Sequence, residues 1–242
     1  MPSTQGSTIT LDYDDYNFDS HQVGGSSMSL CQITTAHKKD LSEIASIHAQ
    51  CWRDAYAFMP AEIINNRSEN YRLEQWKAWM KSPAEAERLF MVRIDGVAVG
   101  FCFAKPNDDP DAPRALGELH AGYLLPAWRG SSAGPRMMLA MVEFLEEVDR
   151  VPLVLWAFRQ NPIRIWYAQL GWKKFIERHR IIAGVGVPET GYLSPPLDGL
   201  KHRLETMIQS CDARADRLQK KRFYQLGRVP HLADFADSDT SQ

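Results

Sequence analysis

Tyr123-Leu124-Leu125-Pro126-Ala127-Trp128-Arg129-Gly130-Ser131-Ser132-Ala133-Gly134-Pro135-Arg136-Met137-Met138-Leu139 is the stretch that decides how this chain folds. It leaves an apolar strand, crosses a turn dense in small residues and enters a helix whose apolar face continues through Met141, Val142 and Leu145. A strand that turns straight into a helix leaves several backbone N–H groups without intrahelical acceptors. They point the same way as the positive end of the helix dipole, so such a turn suits an anion of the size of a pyrophosphate. On its own the pattern occurs in many folds, and its neighbours decide what it means.

Upstream, residues 118–125 read as the strand that feeds this turn. Residues 89–94 and 97–103 are two strand-like runs joined across Asp95-Gly96, a strong hairpin signal. Between the hairpin and that strand, residues 105–114 form a loop rich in Pro and Asp. Asp40 opens a helix in which Leu41, Ile44, Ala45, Ile47, His48, Cys51, Trp52, Ala55 and Tyr56 keep the three-four spacing of one apolar face. A second helix is expected at 69–80, with Tyr71, Leu73, Trp76 and Met80 as its apolar members, and Cys31-Gln32-Ile33 is a short strand before both. Downstream, residues 151–158 suit a buried strand and 162–169 a short helix stopped by Leu170-Gly171, after which one further strand follows. The order is that of an α+β domain built on a mixed β-sheet flanked by helices.

The run from Glu118 to Gly130 resembles the acetyl-CoA motif of the GCN5-related N-acetyltransferases (GNAT), a strand, a Pro and an Arg/Gln-x-x-Gly-x-Gly/Ala turn before a helix. Asn161-Pro162-Ile163-Arg164-Ile165-Trp166-Tyr167-Ala168-Gln169-Leu170-Gly171-Trp172 is similar to the second motif of the same family. The likeness covers roughly residues 30–185, and two motifs in the right order are far more specific than either alone. There are departures: Ser132 stands where the pattern has its first Gly, Pro135 removes one N–H from the first helical turn, and Arg164 replaces a small residue.

The resemblance implies a GNAT fold and transfer of an acetyl group from acetyl-CoA, as co-substrate, to an amine by direct attack in a ternary complex. It implies that Tyr123, Leu124, Leu125, Arg129, Gly130, Ser131, Ser132, Ala133, Gly134 and Asn161 hold the coenzyme. Glu118 aligns with the general base of the histone-acetylating branch, and His120 projects from the same face as the second candidate. Tyr167 aligns with the Tyr that protonates the departing thiolate in many relatives. An acetyl-cysteine route through Cys51 or Cys102 is the alternative mechanism, although both sit in apolar runs as small hydrophobes. Two rival functions remain open, a non-catalytic acyl-CoA-binding module and a protein-modifying enzyme. The acceptor is a small-molecule or peptide amine.

The remaining organisation follows from composition. The 242 residues are 44% hydrophobic and 24% charged, with Lys+Arg 28 against Asp+Glu 30 and a net charge of -2. Such a balance gives no electrostatic attraction to nucleic acid or anionic lipid, and no signal peptide or spanning run is present, so a cytoplasmic protein is expected. The four scattered cysteines suggest neither a metal site nor a disulfide framework. Three regions are expected: an acidic, polar tail at 1–27, the acetyltransferase-like domain at 28–190, and a helical C-terminal extension at 191–242 with a frayed end. In that extension Leu200, Leu204, Met207, Cys211 and Leu218 make a broken apolar stripe, for packing on the domain or on a second copy in a homodimer.

Overall fold

The computed structural model describes residues 30–226, with side chains through Leu218; the tail expected at 1–27 and the frayed end expected from Asp234 lie outside the described residues. The elements are β1 (Cys31–Thr35), α1 (Leu41–Ala55), α2 (Ala61–Asn65), α3 (Glu69–Met80), β2 (Arg88–Ile94), β3 (Val97–Pro106) and β4 (Gly117–Leu124). They continue with α4 (Ala133–Glu147), β5 (Leu153–Phe158), α5 (Arg164–Gln169), β6 (Lys173–Ile182), β7 (Val185–Leu193) and α6 (Leu197–Leu226). A seven-stranded sheet runs in the order β1-β2-β3-β4-β5-β7-β6, mixed as expected.

Asp95 and Gly96 both take positive φ, 50° and 82°, which closes the β2–β3 hairpin in the twist that paired strands prefer. Ala183 and Gly184 do the same at 47° and 82° and split what the sequence suggested as one closing strand into the β6–β7 hairpin. The short helix α2 was also not legible in the sequence.

Two helical layers cover the sheet. Leu89, Met91, Phe101 and Phe103 face α1 and α3, packing with Ile44, Ile47 and Trp76. Phe90, Val92, Cys102, Leu119 and Leu155 face the other way and pack with Met137, Met141 and Leu145 of α4. On α3 the expected members Leu73, Trp76 and Met80 pack on the core, but Tyr71 is 43% exposed and Arg72 is buried in its place. Helix α6 lays Leu200 and Leu204 onto the α4 core, so its stripe serves this chain's own domain. Lys201 Nζ pairs with Glu146 at 2.7 Å, Arg136 Nη2 with Asp212 at 2.8 Å, and Arg203 Nε donates to the Leu170 carbonyl at 3.0 Å. Leu218 is exposed.

The feature that places the site is the only parallel pair among the described strands. β4 meets β5 at Gly117↔Leu153 and Glu118↔Val154 and then pairs no further. At this apex the backbones are so close that a Cβ on Gly117 would stand 2.4 Å from the Arg150 carbonyl, so only glycine fits. A bulge follows: opposite β3, Phe103 pairs with Ala121 and Ala104 with Leu119, leaving His120 unpaired. One extra residue reverses the alternation of faces. Glu118 and His120 before it, and Ala121 and Tyr123 after it, therefore share the α1/α3 face, while Gly122 lies over Met137 and Met141.

If α6 is part of the core, Leu204→Ala lowers the unfolding free energy by about 2–5 kcal/mol. Leu218→Ala shifts it by less than about 0.5 kcal/mol. Urea denaturation of the two variants checks this, and equal effects would contradict it.

Candidate active site

The turn that follows β4 is an anion cradle in its hydrogen-bond accounting. Gly130 has φ 77°, open space around its Cα, and begins the loop into the fifteen-residue helix α4. Ser131 Oγ donates to the Trp128 carbonyl at 2.7 Å and accepts from Ala133 N–H at 3.3 Å, which fixes the turn from within. The amides of Gly130, Ser132 and Gly134 find no acceptor among the described residues. Three open amides at one helix N-terminus form the donor set that suits an anion. Pro135 is buried in the first turn and removes a fourth. Ser132 Oγ accepts from Arg136 Nε at 3.5 Å.

Arg129 does not face this cradle. Its Nη1 pairs with Asp54 on α1 at 2.6 Å and its Nε donates to the Leu124 carbonyl at 3.3 Å, so it ties the turn to α1. Leu125 N–H donates to the Val99 carbonyl at 2.9 Å, which ends the ladder with β3. Leu124 and Tyr123 lie on the last stretch of β4, where the edge toward β5 is unpaired.

Across the opening, α1 and the loop after β5 supply a bridge. Tyr56 on α1 neighbours Tyr123 on β4 and the Asn161 side chain beyond β5, and burial raises its hydroxyl above the ordinary value. Asn161 Oδ1 also accepts from Ile163 N–H at 3.1 Å, fixing the turn into α5. The Tyr167 ring on α5 lies 6.0 Å from that of Tyr192, and burial first, then the neighbouring phenols of Tyr56 and Tyr192, push its hydroxyl far above the ordinary value. It is a phenol that stays protonated. Tyr123, Asn161 and Tyr167 thus converge around Tyr56, which the sequence marked only as part of an apolar face.

Glu118 sits near the apex, 6% exposed. His120 Nδ1 lies 2.8 Å from its Oε1 and Lys105 Nζ 3.4 Å from its Oε2. Burial raises the Glu118 carboxyl, but the contacts with His120 and Lys105 outweigh it and hold the group below its ordinary value. An ionised carboxylate can only accept, so Nδ1 carries the hydrogen and Nε2 of the neutral ring is left as an acceptor. Glu118 and His120 open onto a cleft of about 400 Å³, whose other walls include Lys105, Asp108, Arg178 and Arg180. Arg178 fixes that wall: it pairs with Asp109 at 2.6 Å, Asp111 at 2.7 Å and Glu189 at 3.1 Å, and stacks 3.6 Å from the Trp156 ring centre. Lys105 and Arg178 were not singled out in the sequence, where a strand Lys and Arg carry no motif.

Residues 42–172 match the model of the Acetyltransferase (GNAT) family, which is more than half of the chain. The chain belongs to the GNAT family. It is 27% identical over 171 residues to the uncharacterized N-acetyltransferase YuaI of Bacillus subtilis (strain 168), covering 70% of this chain and 95% of that protein. It is likewise 27% identical over 133 residues to an uncharacterized N-acetyltransferase of Archaeoglobus fulgidus, covering 54% of this chain and 84% of that one. Among solved structures, its fold is similar to that of yncA from Salmonella typhimurium, determined with its cofactor acetyl-CoA, at a TM-score of 0.52 and 16% identity over 68% of this chain and 93% of the other. A GCN5-related N-acetyltransferase structure from Rhodopseudomonas palustris superimposes equally, with TM-score 0.52 and 16% identity over 71% and 99%.

In this GNAT scaffold the cysteines are free thiols. Burial pushes Cys51 up to about 11 and Cys102 far above its ordinary value, the wrong direction for a nucleophile. Iodoacetamide at pH 8 should therefore alkylate neither in the native protein while it modifies both in urea. Native labelling of Cys51 or Cys102, read by peptide mass spectrometry, would contradict that burial.

Proposed function

We propose that the chain transfers an acetyl group from acetyl-CoA directly to an amine in a ternary complex. The observation that carries this is the divergence of β4 from β5 beside three open amides at the start of α4. The unpaired edge of β4 offers backbone groups to an extended, amide-containing chain. The amides of Gly130, Ser132 and Gly134 would take the pyrophosphate at its far end. The acyl group would then lie toward the apex, between Tyr123, Tyr167 and the Glu118–His120 pair.

Attack on a thioester requires a free amine, and a primary amine of pKa near 10 is mostly protonated at neutral pH. His120 Nε2 is the acceptor for that proton, with Glu118 holding the ring in the productive tautomer and stabilising its charged form. We give the proton-accepting role to His120 in place of Glu118, the base that the sequence reading favoured, because both line the cleft and the imidazole is the more exposed of the pair. Tyr167 is the donor to the leaving thiolate: burial keeps the phenol protonated, and it shares that proton with the charge that develops as the C–S bond breaks. Free thiols at all four cysteines support the cytoplasmic compartment. Among the described residues no helix is long and apolar enough to cross a membrane.

Calorimetry with CoA tests the cradle. Binding is expected, and a Val in place of Gly134 should weaken it about tenfold or more with little change in the melting temperature of the free protein. Absence of binding at millimolar CoA would overturn the function.

Kinetics test the chemistry. Replacing His120 by Ala should lower kcat/KM by about 10²–10⁴-fold at pH 7, and Glu118→Gln by a smaller factor, both losses shrinking as pH rises toward the amine pKa. Tyr167→Phe should lower kcat about ten- to a thousandfold with CoA affinity intact. Unchanged rates in all three would remove these residues from the chemistry, whereas CoA binding with no turnover of any amine would leave an acyl-CoA-binding module instead of an enzyme.

A further inference from the structure

The space between α1, α3 and the end of β4 holds a cation that nothing neutralises. Arg72 lies one turn before Trp76 on the buried side of α3 and is 5% exposed. Its Nη1 donates to Gln75 Oε1 at 3.0 Å, but its Nε and Nη2 are buried without an acceptor. Those two atoms form one edge of the guanidinium, the fork that receives both oxygens of a carboxylate. No carboxylate among the described residues stands within ion-pair distance of it. The guanidinium carbon is 4.7 Å from the Trp52 ring centre, and Trp52 Nε1 is a further buried donor without an acceptor. The other cation near it is Arg67, which is bonded to Tyr71.

A helix position facing a core is ordinarily filled by an apolar side chain. Burying a guanidinium there is costly unless the charge is paired, and a ring face offsets only part of the lost hydration. The surplus consists of donors alone, so the group that completes the site is an acceptor carrying negative charge. The location ties it to the acetyl transfer proposed above. Arg72 stacks on Trp52, whose ring meets those of Tyr56 and His48, and the His48 ring in turn lies 4.7 Å from that of Tyr123. The cation therefore lies on the α1/α3 face, joined through Trp52 and His48 to the end of β4. Through Trp52 it adjoins an apolar cluster that includes Tyr56, Met59 and Phe158.

We propose that Arg72 and Trp52 read a carboxylate, or an oxyanion of the same shape, on the acceptor, so that the amine acetylated belongs to a small molecule with its own acid group, an amino acid by class. A peptide amine fits less well, because the residue that bears it has its own carboxylate tied up in an amide. This ligand class rests on the acetyltransferase function proposed above.

The test is calorimetry on the protein saturated with CoA, titrated with each of the twenty common amino acids beside its carboxamide. At least one acid should bind about 10- to 100-fold more tightly than its amide, the range for hydrogen bonds to a charged group. Arg72→Met should abolish that preference, leave CoA affinity unchanged and leave or raise the melting temperature, since it removes an unpaired buried charge. Arg72→Lys, which keeps the charge and loses the fork, should retain only part of the preference and serves if the Met variant does not fold. The assignment is overturned if no acid outbinds its amide, or if the preference survives in both variants. CoA binding without any acid preference sinks this assignment alone; failure of CoA to bind sinks the acetyl transfer and this site with it.

Discussion

The close contact at Gly117 is the constraint on which the rest of the molecule depends. Two strands that run parallel must either continue their ladder or part, and here they touch for two residues and part. The contact is tight enough to exclude a Cβ, so the pairing is pinned at one end. Beyond it the chain on each side finds other partners: β4 stays with β3, and β5 stays with β7. The opening between them is thus a fixed feature of the sheet, lined by backbone groups that the fold itself does not use. The bulge at His120 adds the second requirement, because without the extra residue Tyr123 and Glu118 would lie on opposite faces. A slot for an extended ligand and a pair of proton-handling side chains reach the same side of the sheet through one inserted residue.

Electrostatically the site is assembled from groups left partly unsatisfied. The open amides of the turn are donors without acceptors, Tyr167 is a protonated phenol in an apolar setting, and Arg72 is a cation without an anion. By contrast, the charges on the periphery are paired: Arg178 with three carboxylates, Arg129 with Asp54, Lys201 with Glu146. Exposed pairs such as Arg129–Asp54 add little stability but hold the turn against α1, whereas buried unpaired donors are tolerated where a ligand completes them.

Much of the architecture was legible because its signals are local. Asp95-Gly96 sets a hairpin through backbone conformation, and the run from Tyr123 through Gly134 sets strand, turn and helix in a dozen residues. The apolar periodicity of α1 likewise needs no knowledge of its partner. What escaped depends on residues far apart. Arg72 reads as a solvent-facing side chain because its neighbours Tyr71 and Leu73 are apolar; that α3 turns it toward Trp52 is decided by the packing of α3 against α1 and β3. Arg129 fits a coenzyme motif in sequence, but its partner Asp54 precedes it by seventy-five positions. The pairing of His120 with Glu118 could be anticipated from their spacing, whereas the roles within the pair follow from burial, which a single strand does not reveal. Ala183-Gly184 was missed because Ala in a left-handed turn is a weak signal compared with Asp-Gly.

Amide hydrogen exchange resolved along residues 117–136, with and without saturating CoA, addresses the opening most directly. Protection should appear on the β4 edge beyond Glu118 and at Gly130, Ser132 and Gly134, with the β2–β3 hairpin unchanged. Exchange at these amides that is indifferent to CoA, or protection confined to another part of the molecule, would contradict the placement of the coenzyme between β4 and β5.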